Sequence, residues 1–282
     1  MTIVQAIVLG IVQGICEFVP ISSSGHLIIV PWLLHWDFFL AHPELNKTFD
    51  VALHLGTFFA VLAYYWGDIG RILRDFYHSI AQRRIETPGE RLAWLLLLST
   101  IPAGVLGVAF EKVVEDWLGK PWLIAVLMMV FGAIIWIIDA RSPQRKGVED
   151  LRWRGALGIG FAQALALAPG VSRSGVTMMA GRLDEFTRSA AARYAFLLSV
   201  PVVGGGALYK SLELTKTGLP SGMIAPFLVG MLAAAVSGFA AIWFTIAYLR
   251  RHSFKLFAIY RFVAGGAILM VILLGLRHAG GL

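Results

Sequence analysis

Charged residues and cysteines are scarce in this sequence of 282 residues. Only 15% of the residues are charged, whereas a soluble domain carries about a quarter. Cys16 is the single cysteine, which excludes an intrachain disulfide and a metal site built from cysteines. The first basic residue is Lys47, so the charged n-region of a secretory signal peptide is missing, and we expect the first apolar segment to remain in the mature protein.

Apolar residues are abundant instead. They make up 58% of the chain, and the mean hydropathy is +0.75. This composition predicts an all-α polytopic membrane protein, with residues 1–282 forming a single membrane domain and no separate soluble domain. We assign the net charge of +7 to cytoplasmic loops that orient the protein in the membrane, and we expect no nucleic-acid partner.

Six segments approach the roughly 20 residues that cross a bilayer, and we predict them as transmembrane helices. They are 49–66, 92–110, 121–138, 190–209, 226–249 and 257–276.

The loops between these segments alternate in their content of basic residues. Loops 67–91, 139–154 and 250–256 are rich in arginine and lysine, whereas 111–120 and 210–225 hold two lysines each. Because basic loops stay on the cytoplasmic side, this alternation fits six crossings and predicts that both termini lie outside.

Two stretches, 9–26 and 159–175, are similar to each other at a fixed offset of 150 residues. The matching pairs are Gly10 and Gly160, Gln13 and Gln163, Ser22 and Ser172, Ser24 and Ser174, and Gly25 and Gly175. Each stretch is predicted as a short helix, a break and a second short helix, which is a re-entrant helical hairpin. Three crossings separate the copies, so we predict an inverted-topology repeat of about 1–140 and about 150–282, with the hairpin tips meeting near the membrane midplane.

Gln13 and Glu17 are four residues apart and therefore share one face of the first helix. A carboxylate inside a membrane segment is costly and usually faces a cavity with a partner. Glu17 is accordingly a candidate metal ligand or proton-transfer group. The alternative is a carboxylate solvated at the headgroup level.

The first break carries three hydroxyls and an imidazole, in the run Ser22, Ser23, Ser24, Gly25 and His26. Hydroxyls and free backbone N–H groups at a helix start bind anions well. A serine near a histidine is also the minimal activated nucleophile. The alternative is a polar turn in which a serine caps the next helix.

The second break runs from Pro169 to Thr177 and includes Ser172, Arg173, Ser174 and Gly175. Arginine is the preferred bidentate partner of phosphate and stays charged. Snorkelling to a membrane surface is the alternative, and the repeat argues against it because it puts Arg173 at a hairpin tip.

Other polar residues are less informative. We interpret the isolated histidines His35, His42 and His54 as solvated or packed. Asp50, which shares a face with His54, is equally compatible with a functional and a structural role. Arg261 is equally compatible with snorkelling and with function.

The two tips together predict a cationic pocket, rich in hydrogen-bond donors, with one carboxylate. Such a pocket suits a phosphate or diphosphate, and its apolar surroundings suit a lipid tail. These residues indicate binding of a lipid phosphate and do not by themselves indicate bond cleavage.

At these residues the chain resembles the undecaprenyl-diphosphate phosphatase family, also called the bacitracin-resistance protein family. The resemblance rests on Gln13 with Glu17, on Ser22 to His26, on P-G-V-S-R-S-G-V-T from Pro169 to Thr177, and on A-I-Y-R-F from Ala258 to Phe262. It covers essentially the whole chain. Gln13 stands where other members carry glutamate.

The resemblance implies hydrolysis of undecaprenyl diphosphate to undecaprenyl phosphate and inorganic phosphate in the bacterial inner membrane. This reaction recycles the lipid carrier for peptidoglycan synthesis in cell wall biogenesis and confers resistance to the antibiotic bacitracin. The resemblance also implies a divalent cation, Mg²⁺ or Ca²⁺, and an active site open to the outer side.

We expect Glu17, Ser23, His26 and Arg173 to be catalytic. In this hypothesis Arg173 clamps the diphosphate, Ser23 attacks with His26 as general base and acid, and Glu17 holds the metal or accepts a proton. Attack by water or by His26 stays open. Residues expected to contact substrate are Gln13, Ser22, Ser24, Gly25, Ser172, Ser174, Gly175 and Thr177.

Two other functions compete with hydrolysis. Inverted repeats with broken helices are typical of transporters, so a flippase for undecaprenyl phosphate is the alternative. A purely structural membrane protein is the second competitor. Small residues one turn apart at Gly230, Ala234 and Gly238 allow close helix packing within the fold or in a homodimer.

Overall fold

The computed structural model describes residues 1–36, 38, 42–113, 118–217 and 222–279; the side chains at 43, 111–113 and 207–217 lie outside this description. In the described part, helices are the regular elements, apart from one isolated bridge between Lys146 and Phe186. We label the α-helices in chain order as α1 (Ile3–Phe18), α2 (Ser23–Leu33), α3 (Pro43–Tyr64), α4 (Trp66–Gln82), α5 (Pro88–Val113), α6 (Pro121–Arg141), α7 (Trp153–Ala164), α8 (Arg173–Leu183), α9 (Arg188–Thr217), α10 (Ile224–Leu249) and α11 (Lys255–Leu273).

Four of the described helices are long and apolar enough to cross a membrane. They are Pro88–Phe110, Pro121–Arg141, Ile224–Leu249 and Lys255–Leu273, and they contain the segments predicted at 92–110, 121–138 and 226–249 and most of that at 257–276. The chain is therefore an all-helical, multi-pass membrane protein.

The two remaining predicted spans correspond to less regular helices. The segment 49–66 falls in α3, which ends at Tyr64, and the chain then bends by 83° into α4. This pair would count as a fifth span only if both helices were taken together. The segment 190–209 falls in α9, and its last three residues lie outside the described side chains.

The two similar stretches fold alike. In the first, α1 ends at Phe18 and α2 begins at Ser23; in the second, α7 is followed by a 3-10 turn at Leu165–Leu167, and α8 begins at Arg173. The second helix of each copy is capped by the equivalent serine, Ser22 or Ser172. Each copy is thus a helix, a short break and a second helix, as the sequence predicts.

Ser22 and Ser172 hold the same unusual backbone conformation. Their φ angles are 80° and 78°, in the left-handed region that side-chain-bearing residues rarely adopt. Each hydroxyl accepts a hydrogen bond from a glycine amide three residues on, Gly25 at 3.4 Å and Gly175 at 3.1 Å. These N-caps compensate part of the conformational cost, because each satisfies an amide at the start of a helix.

The first helix of each copy packs against a helix from the other half of the chain. In α1, a Cβ added at Gly10 would overlap the carbonyl oxygen of Gly230 in α10. In α7, a Cβ added at Gly160 would lie 2.7 Å from the carbonyl oxygen of Ser99 in α5. Such close approach requires glycine. The two breaks themselves meet where the Gly170 amide donates to the Ser22 hydroxyl at 3.0 Å.

Candidate active site

The two breaks line one open cavity of about 330 Å³, a size found for small-molecule sites. Its polar wall is formed by Glu17, Ser23, Ser24, His54, Ser172 and Arg173. Its apolar wall is formed by Val51, Ala166, Val202 and Val203. A charged group and an apolar chain could therefore both be accommodated.

Glu17 is the centre of the polar wall. Its side chain is 4% exposed and forms an ion pair with Arg173 through Nη2 and Oε1. Its other oxygen, Oε2, accepts from the Ser23 hydroxyl at 2.6 Å and from the Gln13 amide at 3.2 Å. A buried carboxylate needs an opposite charge and hydrogen bonds to offset its lost hydration, and here both breaks supply them.

His54 is a site residue that the sequence interpretation missed. Its Nε2 lies 3.9 Å from Glu17 Oε2, and it lines the same cavity as Ser23 and Arg173. Its Nδ1 is 2.7 Å from the Asp50 carbonyl oxygen, and since a carbonyl only accepts, Nδ1 carries a proton and Nε2 is the atom free to face the cavity. Its side chain is 34% exposed at this open cavity, which agrees with the expectation of a solvated His54, whereas its approach to Glu17 was not predicted. The one available signal was its position one turn after Asp50.

His26 lines a different cavity and contacts a different neighbouring helix from Ser23. Its Nδ1 is 2.7 Å from the Ser22 carbonyl oxygen, and its Nε2 is 2.7 Å from the hydroxyl of Tyr260 in α11. It lines a second, mostly apolar cavity of about 260 Å³ together with Tyr260 and Met128. The expected pair of Ser23 with His26 is therefore not formed within the described structure, because their side chains point to different neighbouring helices.

Several other predicted site residues connect the breaks rather than line the cavity. Ser22 is fully buried, and its hydroxyl also accepts from the Gly170 amide of the second break at 3.0 Å. A Cβ at Gly25 would lie 3.3 Å from the same amide nitrogen, so this glycine permits the close approach. At the equivalent position, a Cβ at Gly175 would lie 3.0 Å from Ile135 Cδ1.

The expected phosphate donors of the second break divide into two groups. Ser172 and Arg173 face the cavity. The Thr177 hydroxyl donates to the Arg173 carbonyl at 2.8 Å, and Ser174 lies 3.5 Å from the carbonyl oxygen of Val19. Ser174 and Thr177 are thus buried supports of the first turn of α8. They stabilise the segment that presents the guanidinium.

Arg261 is fully buried, so its guanidinium does not snorkel to a surface. It donates to five backbone carbonyls at distances from 2.6 to 3.5 Å. These acceptors belong to Pro20, Leu127, Met128, Gly170 and Val171. Three of them lie in the two breaks, which α11 therefore holds together.

Comparison with known proteins identifies the family. The family described as bacitracin resistance protein BacA matches residues 6–267. The chain belongs to this family.

Curated relatives align with this chain over nearly its full length. One from Pelobacter propionicus, named undecaprenyl-diphosphatase, is 41% identical over 277 residues, which are 98% of this chain and 99% of the relative. Relatives of the same name from Desulforudis audaxviator and Moorella thermoacetica are 43% and 44% identical, and each alignment covers 96% of this chain and 98% of the relative.

Glu17 is the one carboxylate available to a divalent cation among the described residues that line the cavity. Among the described residues no cluster of three or more His, Cys, Asp or Glu side chains is found. Beside Glu17, the amide oxygen of Gln13 is buried without a partner. One carboxylate and one amide oxygen fit a Mg²⁺ or Ca²⁺ ion that takes its other ligands from water and substrate phosphates, and they do not form an all-protein cage.

Proposed function

We propose that this protein hydrolyses undecaprenyl diphosphate to undecaprenyl phosphate and inorganic phosphate, which recycles the lipid carrier for peptidoglycan synthesis and confers bacitracin resistance. The observation that carries this proposal is the contact of Arg173 with Glu17 beside the Ser23 hydroxyl, in one cavity. The names of the relatives support it. They favour hydrolysis over the alternative of a flippase.

Binding begins with an exchange of partners at Arg173. In the free protein its guanidinium pairs with Glu17. The terminal phosphate of the substrate offers a stronger, bidentate partner with more negative charge. When Arg173 turns to this phosphate, Glu17 keeps its hydrogen bond from Ser23 and loses its neutralising cation. Glu17 then becomes a better proton acceptor at the moment when Ser23 must lose its proton.

The first chemical step forms a bond between Ser23 Oγ and the terminal phosphorus. The Ser23 proton passes to Glu17 Oε2, which lies 2.6 Å away, and the bond from phosphorus to the bridging oxygen breaks. Undecaprenyl phosphate leaves with the electrons of that bond. Glu17 thus takes the role of general base that the sequence suggested for His26, whose ring nitrogens contact Ser22 and Tyr260.

The second step restores the protein. A water molecule attacks the phosphorus of phosphorylated Ser23, its proton leaves to the solvent, and the bond to Ser23 Oγ breaks. Ser23 recovers its proton from Glu17, and inorganic phosphate is released. Arg173 and the Ser172 hydroxyl hold the phosphoryl oxygens in both steps, since positioning and charge neutralisation dominate phosphoryl transfer.

A divalent cation, Mg²⁺ or Ca²⁺, is part of the proposal. Glu17, in the alternative in which it does not accept the Ser23 proton, and the Gln13 amide oxygen would hold it, and its contribution would be to neutralise charge on the diphosphate. The Gln13 oxygen that is buried without a partner supports this assignment.

The proposed membrane layout has six transmembrane helices and two re-entrant hairpins in an inverted-topology repeat. Repeat one is about 1–140, repeat two is about 150–282, and both belong to a single membrane domain in the bacterial inner membrane with both termini outside. The exchange of packing partners, α1 with α10 and α7 with α5, supports two interlocked halves. A homodimer through the small-residue face of α10 remains part of the proposal, with bilayer lipid as the surroundings and no nucleic-acid partner.

Phosphate release from purified protein in detergent tests the function. We expect inorganic phosphate from undecaprenyl diphosphate in the presence of Mg²⁺ and none from undecaprenyl phosphate, which lacks the anhydride bond. The Arg173→Ala protein is the control for contaminating phosphatases. Absence of phosphate release, together with movement of undecaprenyl phosphate across sealed vesicles, would overturn the proposal in favour of a flippase.

A further inference from the structure

Arg261 is a buried arginine to which the proposed mechanism assigns no contact with the substrate. It lies in α11, outside both breaks, and is completely buried. The cavities at Glu17 and at His26 do not include it among their lining residues. No carboxylate in the described part of the chain pairs with Arg261. A buried cation without such a partner is costly, so its other contacts must offset this cost.

The hydrogen bonds of Arg261 join three parts of the chain. Nη1 donates to Pro20 in the first break at 3.2 Å, and Nη2 donates to Gly170 and Val171 in the second break at 2.6 and 3.0 Å. Nε donates to Met128 in α6 at 2.8 Å. A broken membrane helix leaves carbonyl groups without intrahelical partners, and one guanidinium here satisfies such groups in both breaks at once.

We propose that Arg261 is a positioning residue that fixes the separation between the two breaks and thereby the alignment of Ser23 with the phosphate held by Arg173. This inference rests on the proposed function. Pro20 lies three residues before Ser23, and Val171 lies two residues before Arg173. A displacement of either carbonyl is therefore transmitted over a few bonds to a reacting group, and a misplacement of 1 Å can slow a reaction by about 100-fold.

The planar fork of the guanidinium is essential to this role. Its separate N–H groups reach Pro20, Gly170 and Met128 in different directions. Lysine keeps the charge but offers three donors from one nitrogen atom, so it cannot bridge the same spread of acceptors. The variant Arg261→Lys therefore separates geometry from charge.

Arg182 provides a matched control. It is 1% exposed and also donates to several carbonyls, including those of Pro143 at 2.8 Å and Asp139 at 3.3 Å. It lies nine residues after Arg173 in α8, which is about 14 Å along a helix, and does not contact either break. Unlike Arg261, it also forms an ion pair with the Asp139 carboxylate at 3.0 Å. Arg182→Lys therefore disturbs an equally buried arginine with carbonyl partners without disturbing the relation between the breaks.

Steady-state kinetics with undecaprenyl diphosphate is the first test. We expect Arg261→Lys to lower kcat by about 100-fold with KM changed less than about threefold, because alignment rather than binding is lost. Arg182→Lys should keep kcat, per folded protein, within about twofold. Equal losses in both variants, or wild-type kcat in Arg261→Lys, would overturn the proposal.

A milder variant serves if Arg261→Lys does not fold. A Cβ at Gly132 would lie 3.2 Å from Arg261 Cβ, so Gly132→Ala pushes the arginine while keeping its charge and donors. We expect kcat to fall by about three- to tenfold. A kcat equal to that of the wild type would contradict the proposal.

Hydrogen–deuterium exchange in detergent gives a readout that does not depend on turnover. The Gly170 amide donates to Ser22 across the breaks, so a change in the separation of the breaks should weaken this hydrogen bond. Peptides covering 19–26 and 168–175 should therefore exchange faster in Gly132→Ala or Arg261→Lys. In Arg182→Lys their exchange should equal that of the wild type. Unchanged exchange of these peptides in the Arg261 variant would overturn the inference. If the wild type released no phosphate, the proposed function would fail. The exchange measurement would still show whether Arg261 fixes the separation between the two breaks.

Discussion

The two breaks share a backbone and differ in the side chains that they present. Ser22 and Ser172 are the N-caps of α2 and α8, with φ and ψ of 80° and 96° in one copy and 78° and 111° in the other. The next residue is Ser23 in the first break and Arg173 in the second. One copy therefore offers a hydroxyl where the other offers a guanidinium.

The acidic partner is also confined to one copy. Glu17 corresponds, at the offset of 150, to Leu167. Because Glu17 and Arg173 come from different copies and meet in the cavity, neither break contains the proposed site alone. A duplicated scaffold supplies the geometry, and divergence of a few side chains supplies opposite charges.

Removing the arginine of the second break should have the largest effect. We expect Arg173→Ala to lower kcat/KM for phosphate release by at least about 1000-fold, since the developing charge on the phosphate loses its bidentate partner. Arg173→Lys should recover little. The control is Arg193→Ala, which removes a half-exposed arginine bound to Asp68 and should keep turnover. Retained activity in both Arg173 variants would contradict the proposal that Arg173 holds the phosphate of the substrate.

Removing the carboxylate of the first break should have the next largest effect. Glu17→Gln keeps the shape, loses the proton acceptor and leaves Arg173 unpaired, and we expect kcat to fall by about 100-fold or more. Because the two residues act as a unit, the double variant Glu17→Gln/Arg173→Ala should be no slower than Arg173→Ala alone. If the fold decrease in kcat of the double variant equalled the product of the two single decreases, the two breaks would act independently.

Substitution of the two capping serines should lower the stability of the protein by different amounts. Ser22 accepts from Gly25 within its own break and from Gly170 in the other, whereas Ser172 accepts from the Gly175 amide. We expect Ser22→Ala to lower the free energy of unfolding by about 2 kcal/mol and Ser172→Ala by about 1 kcal/mol. Thermal unfolding in the same detergent compares them, and a larger loss for Ser172→Ala would contradict the bridging role of Ser22.

The smallest effect is expected at Gln13. Gln13→Glu adds a second carboxylate beside Glu17 and should change kcat less than about threefold while lowering the Mg²⁺ concentration needed for half-maximal rate. A metal titration of phosphate release measures both. A loss of more than tenfold would show that the Gln13 amide, which donates to Glu17 at 3.2 Å, has a role of its own.

The sequence predicted the scaffold better than the side-chain partners. Hydropathy located the spans within α5, α6 and α10, because a helix that faces lipid must be apolar over its whole length. The repeat located both breaks, because polar residues and glycine interrupt that pattern at equivalent positions. The separation of Ser22 and Thr177 from the cavity could not be predicted, because a buried hydroxyl serves equally well as a cap or as a ligand until its neighbours are known.

Three contacts depended on packing between distant helices. His54 reaches Glu17 from α3, Tyr260 turns His26 away from Ser23, and Arg261 crosses from α11 to both breaks. No local spacing encodes these contacts, since each depends on how two helices more than 30 residues apart in sequence meet. The sequence therefore did not indicate the approach of His54 to Glu17 or the contact of His26 with Tyr260, and Ser23 as the nucleophile stays a prediction.

The central claim is that Ser23 of the first break attacks a phosphate held by Arg173 of the second. Its most direct test is a rapid-quench single turnover with undecaprenyl diphosphate labelled in the terminal phosphate, followed by peptide mass spectrometry. We expect a labelled Ser23 peptide that forms and decays within the turnover, and none in Ser23→Ala or Arg173→Ala. Full release of labelled phosphate by the wild type, with unlabelled protein at every quench time, would contradict the claim.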